Sequence, residues 1–129
     1  MGTEPNPTDD PDAASLVRDY YDALDERDYE TLEDLLAPDF VQRRPDRTFE
    51  DRAAFVRFMR DDRPNPDTSH DLEAVVADGE ADRVAVRGRV LDADGERTLF
   101  EFADFFELES ENECESESSR ISRLETYSR

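Results

Sequence analysis

The chain has no lysine, no tryptophan, one cysteine, one histidine and four glycines in 129 residues. A single thiol, Cys114, rules out an internal disulfide and fits a reducing cytoplasm. No apolar run approaches the length of a bilayer span, and the N-terminus lacks a basic stretch followed by an apolar one. Neither a membrane partner nor a secretory leader is expected. Without a Gly-rich phosphate loop or a Ser/His/Asp arrangement, nucleotide use and acyl transfer have no support.

What the chain has in excess is carboxylate. Thirty-six Asp and Glu stand against sixteen basic residues, all of them Arg, for a net charge of −20. Such a surface repels nucleic acid and anionic membrane, so both are excluded as partners. The same imbalance fits adaptation to concentrated salt, where the Debye length falls to about 3 Å at 1 M and self-repulsion is screened. Most of these acids are then solvated surface. The acidic stretch Glu111–Glu117 belongs there too, because it lacks the spacing of a calcium loop or a His and Cys ligand cluster. No metal site and no cofactor are expected.

The apolar residues are ordered enough to argue one domain over residues 10–129, after a loose polar tail at 1–9. Asp10 before Pro11 is a helix start, and Leu16, Val17, Tyr20, Tyr21 and Leu24 follow at helical spacing. The polar run Asp25 to Asp28 breaks that stripe. Asp28 then caps a short helix through Leu32, Leu35 and Leu36 that Pro38 ends. Phe40 to Arg43 reads as extended. Thr48 and Asp51 resemble a capping box for a helix carrying Phe55, Val56 and Met59 on its inner face. Asp61 to Ser69, with two prolines, is a loop. Beyond it only strands are expected. One alternates Leu72, Ala74 and Val76, the next Val84, Val86 and Val90, with turns at Asp78-Gly79 and Asp94-Gly95. A long strand from about Arg97 to Glu109 carries Phe100, Phe102, Phe106 and Leu108 on one face. Ile121 to Tyr127 closes the chain. Helices first and a meander after imply α+β, with a curved, mainly antiparallel sheet over the helices.

Asp104 lies among those Phe residues. A carboxylate on an apolar sheet face is costly unless paired, hydrogen-bonded or protonated, so it points to a pocket. The alternative is a structural acid bridged to Arg87 or Arg89 on a neighbouring strand. His70, the sole side chain titrating naturally near neutrality, is either an acid/base group or an exposed residue beside the Pro-rich loop.

The wording Tyr20-Tyr21-Asp22-Ala23-Leu24, Asp28-Tyr29-Glu30-Thr31-Leu32, Ala37-Pro38-Asp39-Phe40-Val41 and Phe49 to Phe55 is joined by Asp82 to Arg87. Ala103-Asp104-Phe105-Phe106 and Arg120-Ile121 complete it. Together, over residues 12–128, these phrases resemble the nuclear transport factor 2-like superfamily, most closely its SnoaL-like branch. The resemblance implies a cone-shaped domain with a pocket between helices and sheet, often a homodimer through the outer sheet face. It implies no single reaction, since the superfamily holds polyketide cyclases, steroid isomerases, epoxide hydrolases, dehydratases and proteins without catalysis.

Asp104-Phe105-Phe106-Glu107-Leu108 is similar to the steroid isomerase strand that presents a neutral carboxylic acid to a developing enolate. Tyr20 falls where that branch carries its first-helix Tyr, and would otherwise be a core residue. The position of that branch's general base holds Arg44 here, and a guanidinium cannot accept a proton in this role. Where many SnoaL-like relatives carry a His near that strand, this chain has Gln42 and Arg43, and Arg43 or Arg44 would either hold an anionic ligand or pair with surface acids. No strand of the epoxide hydrolase type, with Arg flanked by two Asp, is present.

Two classes of function remain. One is a non-catalytic pocket for a small apolar or carbonyl-containing ligand, lined by Arg44, Phe102 and Phe106, or a dimerisation module. The other is a cofactor-free cyclase or isomerase that moves a proton on a carbonyl compound, using Asp104, Tyr20 and His70.

Overall fold

Helix α1, Pro11–Glu26, forms because its apolar residues recur on one face, and Val17, Tyr20, Tyr21 and Leu24 are all buried. The computed structural model describes residues 11–63, 67–78, 82–110 and 119–128. The N-cap Asp10, the tail at 1–9, Gly79 of the expected turn and the stretch 111–118 with Cys114 lie outside them. Helix α1 stops in a Schellman motif. Arg27 takes a left-handed φ of 59°, its N–H donates to the Leu24 carbonyl, and the Asp28 N–H reaches back to Ala23 at 2.9 Å. Asp28 then caps α2, Tyr29–Leu35, accepting from the Thr31 N–H at 3.2 Å.

Strand β1 runs Leu36–Arg43, longer than the Phe40 to Arg43 expected. The reason is Pro38, which drives its predecessor extended, so the helix ends at Leu35 and Leu36 already pairs with Ile121. A two-residue strand β2, Thr48–Phe49, pairs with Arg43 and Gln42. Thr48 therefore serves a ladder rather than a helix cap. Asp51 alone caps α3, Arg52–Arg57, accepting from the Ala54 N–H at 2.8 Å. The helix widens into a π-turn over Phe58–Asp62, carrying helical structure into the segment read as loop and burying Met59.

Strands β3, Ser69–Asp78, β4, Arg83–Leu91, β5, Thr98–Ser110, and β6, Ser119–Ser128, complete a six-stranded sheet in the order β2-β1-β6-β5-β4-β3. Its pairs are antiparallel except β1 with β6. The helices cover the inner face, and Phe40, Phe55, Phe106, Leu32, Leu36, Ile121 and Leu124 fill the space between. This is the α+β architecture expected, with the long Phe-rich strand near the sheet centre.

Strand β3 corrects one expectation. Leu72, Ala74 and Val76 were to share the inner face, yet Val76 is 63% exposed while Ala77 is buried and Val75 packs on the core. The ladder pairs Leu72 with Gly88 but Ala74 with Arg87, so Glu73 is an extra residue. A bulge of one residue exchanges the two faces of everything after it. Gly88 makes room for this. A Cβ there would stand 2.5 Å from the Asp71 carbonyl oxygen and 3.0 Å from the Phe102 ring. Strands β3 and β5 thus close around a residue without a side chain.

Candidate functional site

Helix α1 presents Tyr20, Tyr21 and Leu24 to a cavity of about 470 Å³ between the helices and the inner sheet face. Strands β1, β3, β5 and β6 add Gln42, His70, Phe102, Asp104 and Thr126, and Met59, Arg44 and Arg63 close it from the π-turn and the end of β1. The volume suits a small molecule.

Asp104 is 5% exposed, opposite Val86 on β4 and Thr126 on β6. The Tyr21 hydroxyl donates to its Oδ2 at 2.5 Å, while Oδ1 has no partner in hydrogen-bond geometry. Burial pushes the carboxyl above its ordinary range. The hydrogen bond from Tyr21 and the Thr126 hydroxyl oppose that rise, with His70 and Arg44 adding smaller attractions. The phenols of Tyr20 and Tyr21 are pushed up as well, first by burial and then by the Asp104 charge. A carboxyl raised above its ordinary range thus shares one cavity with two phenols that keep their protons.

The alternative pairing of Asp104 with Arg87 or Arg89 is not observed. Arg89 donates to Asp71 at 2.5 Å and lies 3.3 Å from Glu73, and Arg87 lies 3.6 Å from Glu73. Arg87 and Arg89 alternate with the inward Val86, Gly88 and Val90, so they face outward.

Tyr20 lines the cavity, but it is the next residue, Tyr21, that holds Asp104. Tyr20 instead packs edge-on against Tyr21 and Phe106, with centroids 5.0 and 5.4 Å away. Phe106 is a second correction. It is fully buried behind the two tyrosines and does not line the cavity, whereas Phe102 does. Phe100, expected on the buried face, is 43% exposed and borders the cavity.

His70 is not a surface residue. Its side chain is 13% exposed, it lines the cavity, and its ring lies 5.1 Å from that of Tyr21 and 5.7 Å from that of Phe102. Nδ1 sits 2.6 Å from Oδ1 of Asp25, and the same carboxylate accepts the His70 backbone N–H at 3.1 Å. A carboxylate only accepts, so Nδ1 carries the proton in this pair, and in the neutral imidazole Nε2 is then the nitrogen able to accept one. In the sequence Asp25 is only part of a polar break. The signal that identifies it is its place four residues after Tyr21, on the same helix face. Gln42 stands out in the sequence only by its place where relatives carry a His, and Arg63 and Thr126 carry no signal there, because strand ends and the end of a π-turn have no periodic signature. Among the described residues no group of three or more His, Cys, Asp or Glu could hold a metal ion. No helix among them is long and apolar enough to cross a membrane.

The model of the SnoaL-like domain family matches residues 17–113 of this chain. Its fold is similar to that of an NTF2-like protein of unknown function from Cytophaga hutchinsonii, at 16% identity and TM-score 0.70, covering all of this chain and 95% of that one. A candidate ketosteroid isomerase from Kribbella flavida is 23% identical, with TM-score 0.69 over 96% of this chain and 82% of the other. A candidate polyketide cyclase from Sinorhizobium meliloti is 21% identical, with TM-score 0.66 over 87% and 93%. A comparison with curated proteins returns no match.

The raised carboxyl has a consequence for stability. An acid whose value rises on folding keeps its proton in the folded chain after the unfolded chain has lost it. Stability therefore falls as pH climbs from the ordinary carboxylate value toward the raised one. Asp104→Asn removes that loss, so its unfolding free energy relative to wild type should grow as pH climbs above the ordinary carboxylate value of 3.8. Denaturant unfolding at fixed high salt measures the difference, and a difference that stays constant with pH contradicts the assignment.

Proposed function

The chain belongs to the SnoaL-like domain family, and we propose that this member moves a proton on a small carbonyl compound, without a cofactor, in the manner of a cyclase or isomerase. The observation that carries this reading is the meeting of two differently prepared groups on one cavity. Asp104 is a buried acid with Oδ1 unpartnered, and His70 is a base candidate whose tautomer Asp25 sets. The fold-level likeness to proteins named as an isomerase and a cyclase supports it without deciding it.

In this mechanism the substrate carbonyl oxygen lies at Oδ1 of protonated Asp104, which donates a hydrogen bond as negative charge builds there. His70 Nε2 takes the proton from the adjacent carbon and returns it at the new position. Asp25 stabilises the imidazolium formed in between. Tyr21 holds Asp104 in place through Oδ2, and Phe102 and Leu24 keep the chamber apolar. His70 thus fills the role vacant at Arg44. A binding pocket without turnover is the second reading, favoured by the guanidinium of Arg44 on the cavity wall.

Deuterium exchange next to the carbonyl of cyclohexanone, followed by NMR in molar KCl, tests the reaction. His70→Gln should slow the exchange about a hundredfold or more. Asp104→Leu should slow it comparably by removing the donor. Exchange no faster than in buffer, or unaffected by His70→Gln, leaves only the binding reading.

We further propose a homodimer through the outer sheet face and a working place in a salt-rich cytoplasm. Supporting the first, Phe105 and Tyr127 form an edge-on pair at 5.9 Å on that face, both exposed, with Val76 also exposed there. Supporting the second is the net charge of −20 with no lysine. Sedimentation equilibrium in molar KCl should give a dimer that Phe105→Glu makes monomeric, and dilution into low salt should unfold the chain. A stable monomer at both salts contradicts both proposals.

A further inference from the structure

Five buried side-chain atoms among the described residues lack a hydrogen-bond partner, and four of them belong to the cavity: Gln42 Oε1, Asp104 Oδ1, Arg44 Nε and Arg63 Nε. Leaving such atoms unsatisfied costs free energy that a ligand can recover. The two arginines are the unusual pair. In a chain with thirty-six acids and sixteen arginines, a guanidinium has a surplus of carboxylates to choose from. Arg44 lies 3.4 Å from the exposed Asp46, outside hydrogen-bond geometry at Nε, and over the Phe58 ring at 5.6 Å. Arg63 donates from Nη2 to the Tyr29 hydroxyl at 3.3 Å. Among the described residues neither takes a hydrogen bond to a carboxylate, Arg44 having only the ion pair with Asp46, and the positive charge of both reaches the Tyr20 phenol in the cavity.

Their placement is built by the backbone. The Arg44 N–H closes the β1–β2 connection on the Arg47 carbonyl at 2.9 Å, and Arg63 follows directly on the π-turn. Two elements from different parts of the chain therefore bring positive charge to the same chamber that holds Asp104 and His70.

We infer that the ligand is a keto acid, its carboxylate held by Arg44 and Arg63 and its carbonyl directed to the Asp104 end of the cavity. A planar carboxylate matches the guanidinium fork, whose buried Nε atoms a neutral ketone leaves without an acceptor. A phosphate group would bring a second negative charge into a molecule already at −20. Gln42 Oε1, the remaining unpartnered acceptor, is free to take a hydrogen bond from an enol or hydroxyl on the same ligand. This inference rests on the carbonyl chemistry proposed above, and adds the substrate's charge.

The test compares 4-oxocyclohexanecarboxylate with its methyl ester by titration calorimetry at fixed KCl. Wild type should bind the acid about tenfold or more tightly than the ester. Arg44→Gln and Arg63→Gln should each shrink that preference, and the double variant should abolish it, with circular dichroism confirming that each is folded. An ester that binds as well as the acid, a preference that survives the double variant, or no binding of either compound overturns the anion site. If the acid preference holds but neither compound exchanges deuterium, the proton-transfer reading fails and the anion site stands. If both exchange equally well with no preference, the reverse is true.

Discussion

The hydrogen bond from Tyr21 to Asp104 ties the first helix to the middle of the long central strand, and the cavity exists around it. Removing either partner would strand the other in an apolar interior, where an unsatisfied polar group costs about 1–3 kcal/mol, and more if charged. The bond therefore fixes how α1 lies on the sheet. From that seating follow the positions of Tyr20 on one side and Asp25 on the other.

Asp25 makes the second tie. Four residues along α1 from Tyr21, it grips both the ring and the backbone of His70 at the start of β3. The Schellman stop at Arg27 ends the helix just beyond Asp25, so this carboxylate stands at the helix end beside the edge strand. One helix face thus carries both attachments, to β5 through Asp104 and to β3 through His70. The groups proposed to act on a substrate are held by the interactions that assemble the fold, and not by mobile loops. Gly88 and the Glu73 bulge complete the chamber by letting β3 and the Phe102 ring approach each other.

The sequence was most informative where one period governs a segment. Strand β5 alternates cleanly, and Asp104 declared itself as an acid on the buried face for that reason. Helix α1 was legible as a helix, but its apolar stripe includes both Tyr20 and Tyr21. A turn of about 100° per residue separates them, and only the seating on the sheet decides which meets Asp104. The face of β3 was misread because nothing in Leu72-Glu73-Ala74 announces a bulge; the requirement comes from β4 across the ladder. Strand β2, two residues long, has no period at all. Arg63 and Gln42 acquire meaning only from what surrounds them, since their burial without partners is a property of the assembled cavity.

The central claim is that Asp104 is an acid kept protonatable by the chamber it shares with Tyr21 and His70. The most direct measurement is the carboxyl titration of Asp104 by carbon-detected NMR in molar KCl, with Asp104→Asn for assignment. A midpoint clearly above the ordinary carboxylate value of 3.8, moving higher still in Tyr21→Phe as the opposing hydrogen bond is lost, is the predicted result. A midpoint at or below that value would mean a solvated or cation-paired carboxylate, and would contradict both the raised acid and the proton-transfer chemistry built on it.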